Sequence, residues 1–86
     1  MASVQEVAAA AHRIGQSAKD AQMKTLHCAN TLMNQRDQLA ATVAGSRTGM
    51  DAVNQVTVAE RKVRESAARL QTLQIDIDRF ISDLQK

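Results

Sequence analysis

Eighty-six residues with no proline, three glycines and a single aromatic residue, Phe80, are enough for one domain, and they favour helix over sheet. The 11 basic and 9 acidic residues are mixed along the chain for a net charge of +2. Without a basic stripe or stacking aromatics, that balance excludes a nucleic-acid footprint. The lone Cys28 excludes an intrachain disulfide, and no apolar run is long enough to span a membrane.

The first element opens at Ser3-Val4-Gln5-Glu6, a capping box in which each side chain can satisfy an orphan backbone donor. It predicts helix 1 over about residues 3–44. Gly15 lies inside it, at a cost of about 1 kcal/mol relative to alanine. It reads as a surface glycine or a point of close packing rather than a kink. An apolar seam with alternating spacings of three and four runs from Val4 and Val7 through Ala11, Ile14, Ala18, Ala21, Thr25, Cys28, Leu32, Gln35 and Leu39 to Thr42. On this seam Cys28 is expected to be a small buried thiol.

The only break is Ala44-Gly45-Ser46-Arg47-Thr48-Gly49, which holds two of the three glycines. Gly45 suits the left-handed position that ends a helix. Thr48-Gly49-Met50-Asp51 has the form of a helix start. The expectation is a turn at 45–48, with Gly45 and Gly49 as its turn residues, and helix 2 over about 49–85. All of residues 1–86 form one helical-hairpin domain.

Helix 2 carries a second seam: Val53, Val56, Glu60, Val63, Ala67, Leu70, Gln74, Ile77, Ile81 and Leu84. Folded back on helix 1, it sets Leu39 against Val56, Leu32 against Val63, Cys28 against Ala67, Ala21 against Gln74, and Ile14 against Ile81. Gln35 meets Glu60, which lowers the cost of burying either polar group alone. The predicted fold is all-α, a coiled-coil-like antiparallel two-helix hairpin. Its core is Ile14, Leu32, Leu39, Val56, Val63, Leu70, Ile77 and Ile81.

A hairpin seam needs only a narrow apolar stripe. Helix 2 has a second row at Ala52, Ala59, Leu73 and Phe80, and helix 1 widens past its middle with Leu26, Ala29, Met33, Ala40 and Val43. The surplus predicts pairing into a four-helix bundle. Leu26, Met33, Ala59, Leu73 and Phe80 are the expected interface.

Nothing in the chain is arranged for catalysis, cofactor binding or metal binding. His12 and His27 are fifteen residues apart, about 22 Å along a helix, too far to share a metal. Asp76, Asp78 and Asp83 lack the glycine spacing of a calcium loop. The Gly45–Gly49 segment lacks the Gly-Lys-Ser/Thr end of a phosphate loop. An enzyme is not expected, and no cofactor is expected.

The length, the central turn and the Ala/Gln-rich helices resemble the small Trp-X-Gly hairpin proteins exported by type VII secretion systems. In Arg47-Thr48-Gly49, Gly49 matches the turn motif and Arg47 stands at the Trp place. Phe80 is followed by Leu84 where that family's C-terminal pattern has an acid, and Asp83 comes one residue earlier. The resemblance implies a non-catalytic hairpin that pairs as a four-helix dimer, acting as a secreted subunit or as partner to a larger effector. The alternative is a scaffolding subunit or adaptor that assembles through its helices. The partner expected is a protein, either a second copy or another helical hairpin. Cytoplasmic synthesis is expected, with any export following a route that needs no cleaved signal.

Overall fold

The computed structural model describes all residues from Met1 to Lys86. Two helices, α1 (Val4–Thr42) and α2 (Arg47–Leu84), fold back on each other as an all-α antiparallel hairpin. The result is a rod of 63 × 18 × 14 Å.

Local chemistry sets both helix starts. Ser3 caps α1, its Oγ accepting from the Glu6 backbone N–H at 3.1 Å. The cap of α2 is Ser46, two residues before the predicted Thr48: its Oγ accepts from the Gly49 N–H at 3.1 Å. The cause lies just upstream. Gly45 takes the left-handed conformation, φ +85°, and so reverses the chain within one residue. Ser46 is then extended, as a cap requires, and helix can begin at Arg47. The Ser46 N–H also donates to the Val43 carbonyl at 2.9 Å, tying the turn to the end of α1.

Gly49 is needed for a different reason. A methyl group there would stand 2.7 Å from Val43 Cγ2, well inside contact distance. The first turn of α2 therefore packs directly on Val43, the residue that caps the C-terminal end of α1.

The α2 seam is sheltered at every position the periodicity marks, from Val53 through Val56, Val63, Leu70 and Ile77 to Ile81 and Leu84. Helix α1 departs from expectation at alternate positions. Ala11, Ala18, Thr25, Leu32 and Leu39 face the partner helix as predicted. The intervening row shifts by one residue: Gly15, Gln22, Ala29, Arg36 and Val43 are sheltered, while Ile14, Cys28, Gln35 and Thr42 are exposed and Ala21 stays half-buried. Ile14 is thus not a core residue and stands 57% exposed. Cys28 is exposed rather than buried.

The reason is backbone approach. Gly15 has no side chain, and the methyl Cγ2 of Ile77 lies 3.5 Å from where its Cβ would be. Ala29 is 0% exposed, and Ala67 of α2 is buried as well. Ile14 in the seam would hold the helices apart; small side chains at 15 and 29 let the large residues of α2 fill the gap. Val43, closing the same row, makes the contact with Gly49.

Polar groups near the seam follow this rotation. Gln74 Nε2 donates to Gln22 Oε1 at 2.6 Å, one residue from its predicted neighbour Ala21. Glu60 does not meet Gln35, which is exposed. Its carboxylate pairs instead with Arg64, whose Nη2 donates across the hairpin to Asn30 Oδ1 at 3.1 Å. No buried side-chain polar atom lacks a partner.

Candidate interaction surface

In a seam of this period, each helix carries rows of residues seven apart on either side of its contact stripe. Where two helices run antiparallel, one row from each falls on the same flank of the hairpin. On one flank lie Val7, Ile14, Ala21, Cys28, Gln35 and Thr42 of α1, with Ala52, Ala59, Ser66, Leu73 and Phe80 of α2. None of these eleven residues is charged.

The flank is most apolar near the chain termini. Phe80 lies across Val7, Ala10, Ala11 and Ile14, lining a groove of about 540 Å³ with Glu6 and Arg13 at its edge. Phe80 is 47% exposed and Leu73 43%. Ile14, turned out of the seam, and Leu73, from the surplus row of α2, therefore belong to one surface.

The opposite flank differs in character. Toward the termini it holds a smaller cavity of about 250 Å³ lined by His12, Gln16, Lys19 and Asp78. Further along, the Arg64–Asn30 hydrogen bond crosses it. Leu26, 37% exposed, and the half-buried Met33 lie on this second side.

The five residues expected as one interface are thereby divided. Leu73, Phe80 and the exposed Ala59 share the charge-free flank; Leu26 and Met33 face away from it. Ile14 and Cys28, expected in the seam, are exposed on this flank, with Val7 and Ala21 half-buried beside them. Their place on this flank follows from the rotation of α1 that Gly15 and Ala29 set, which periodicity alone does not mark.

No known protein family, curated protein or solved structure matches this chain. What the surface can do is therefore read from its own chemistry. No three His, Cys, Asp or Glu side chains are grouped as a metal site would require. No helix is long and apolar enough to cross a membrane.

The position of Cys28 yields an expected result. In dilute solution its thiol, being exposed, should react with a maleimide or disulfide reagent about as fast as in denaturant. Accessibility and thiolate fraction together set such rates. Strong protection in the dilute hairpin would return Cys28 to the seam.

Proposed function

We propose that the chain is a non-catalytic helical interaction subunit that lays its charge-free flank against another helical hairpin, completing a four-helix bundle. The observation that carries this reading is the double row of uncharged residues on one flank, with Ile14, Leu73 and Phe80 open to solvent. Exposed apolar strips of this kind mark partner surfaces.

The area supports it. The hairpin exposes 6423 Å², and only six of its 86 residues are buried. A compact monomer of this mass exposes about 5,000 Å². Covering one flank would reduce that excess and add the apolar burial an isolated hairpin lacks.

The layout shared with the small Trp-X-Gly hairpins supports placing the protein among secretion-associated subunits or effector partners. A second reading, a scaffolding subunit with a contact on each side, is favoured by Leu26 and Met33 on the opposite flank.

Replacing Leu73 and Phe80 together by serine tests the surface. Both side chains are substantially exposed, so helicity by circular dichroism should be retained. Association, followed by sedimentation at matched concentrations, should weaken by about 100-fold or more, because large apolar side chains dominate interface energies. Undiminished association of the double variant would show that the interface lies elsewhere.

A further inference from the structure

The charges bordering Leu73 and Phe80 on α2 have an order that identifies the partner. Moving outward from Leu73, Arg69 lies four residues before it and Asp76 three after. Glu65 lies eight before and Arg79 six after; Lys62 lies eleven before and Asp83 ten after. Each pair is opposite in sign and nearly equidistant from Leu73, and all six residues are exposed. Lys62, Arg69, Asp76 and Asp83 form a row at seven-residue spacing directly beside the row of Leu73 and Phe80, with Glu65 and Arg79 next to it.

These charges are little used within the hairpin. Lys62, Glu65 and Arg69 make no ion pair. Asp76 and Arg79 are 3.9 Å apart and largely solvated, and Asp83 reaches only the C-terminal Lys86.

Turned end for end about Leu73, this helix presents acid to base at every one of the six positions. Laid parallel on itself, it presents like charge to like. We propose that the partner is a second copy of this chain, with α2 packed antiparallel on α2 of the other copy about a twofold axis at Leu73. The inference rests on the reading of this flank as a partner surface.

Side-chain size agrees with the charge. Leu73 meets its own copy on the axis. Phe80 lies seven residues after Leu73 and Ser66 seven before, so each phenyl ring falls over a small residue of the other copy. Ile14 and Ala21 extend the apolar contact on α1, where Lys24 is the one charge in the bordering row from Ser3 to Gln38. Burial of the apolar rows supplies affinity, while the charges set orientation and partner choice.

The axis lies nearer the chain termini than the turn, so the two copies overlap by their open halves and their turns point outward. The assembly is then about 85 Å long at 1.5 Å per helical residue, against 63 Å for one hairpin.

A charge-swap experiment tests this. One variant carries Asp76→Lys and Asp83→Lys; the other carries Lys62→Glu and Arg69→Glu. Sedimentation equilibrium in low salt, where surface charge is least screened, should show a wild-type dimer. Each variant alone should associate at least about tenfold more weakly, and their equimolar mixture should recover wild-type affinity within about threefold. Lys19→Glu with Asp78→Lys, on the opposite flank, should change nothing.

The second-copy proposal is overturned if the wild type is monomeric at all concentrations, or if the mixture is no tighter than its components. If the charge variants associate normally while the Leu73/Phe80 double variant does not, the antiparallel self-pairing fails and the flank remains the interface. If the double variant also associates normally, the functional reading fails with it.

Discussion

Ala29→Asp is expected to unfold the hairpin, whereas Cys28→Asp leaves it folded. Ala29 is 0% exposed and lies opposite the buried Ala67 row. A carboxylate at this point would be taken out of water, and the nearby Arg36 and Arg64 are already paired with Asp37 and Glu60. An uncompensated buried charge costs about 3–5 kcal/mol, comparable to the whole stability of a chain this small. Cys28 is the preceding residue, yet its side chain points about 100° away around the helix and is exposed. Thermal unfolding followed by circular dichroism in dilute solution should separate the two variants by tens of degrees. Equal melting would mean that the seam does not run through Ala29.

The second large effect is expected at the turn. Gly49 is inside α2, where alanine would ordinarily stabilise by about 1 kcal/mol. Here the added methyl would stand 2.7 Å from Val43 Cγ2 and press on Val43 Cβ as well, forcing the helices apart beside the turn. Overpacking of this kind costs about 1–3 kcal/mol, so Gly49→Ala should destabilise despite its better propensity. The nearest atom is Val43 Cβ, which alanine would keep; in a Val43→Gly background the obstruction is gone, and the same substitution should become neutral or stabilising. Urea titrations of the four proteins in this double-mutant cycle read the coupling directly. Equal effects of Gly49→Ala in both backgrounds would show that the close contact is not made.

The two helices were not equally legible in the sequence. In α2 the bulky residues Val53, Val56, Val63, Leu70, Ile77 and Ile81 all fall on one stripe, and the row beside it is bulky only at Leu73 and Phe80. Periodicity is then sufficient. Along α1 two rows one residue apart compete, and a hydrophobicity reading prefers Ile14 and Cys28 to Gly15 and Ala29. Close packing prefers the reverse, because what matters at that row is the absence of volume opposite Ile77. That is a property of the pair of helices, invisible in either alone.

The candidate surface suffered from the same ambiguity. Leu73 and Phe80 stood out as surplus once the α2 seam was assigned. Ile14 could join them only after Gly15 had displaced it. Leu26 and Met33 are apolar and outside the seam too, but sidedness depends on the rotation of α1, which its many alanines leave weakly marked. At the turn, Ser46 and Thr48 are both good caps. The left-handed Gly45 favours the nearer one.

A rod tied at one end has a gradient of stability along its length. The turn, with Gly45 and the Val43–Gly49 contact, closes the shortest loop, and each layer beyond it forms on a loop already closed. Zipping thus proceeds away from the turn, and thermal fraying retreats from the opposite end. Phe80 and Ile14 lie in that last-formed section, where opening free energies are lowest. Whatever covers them acts as a clasp on the loose ends. Binding there would transfer part of its free energy into holding the helices together, and amide exchange near the termini would slow far more than exchange beside the turn.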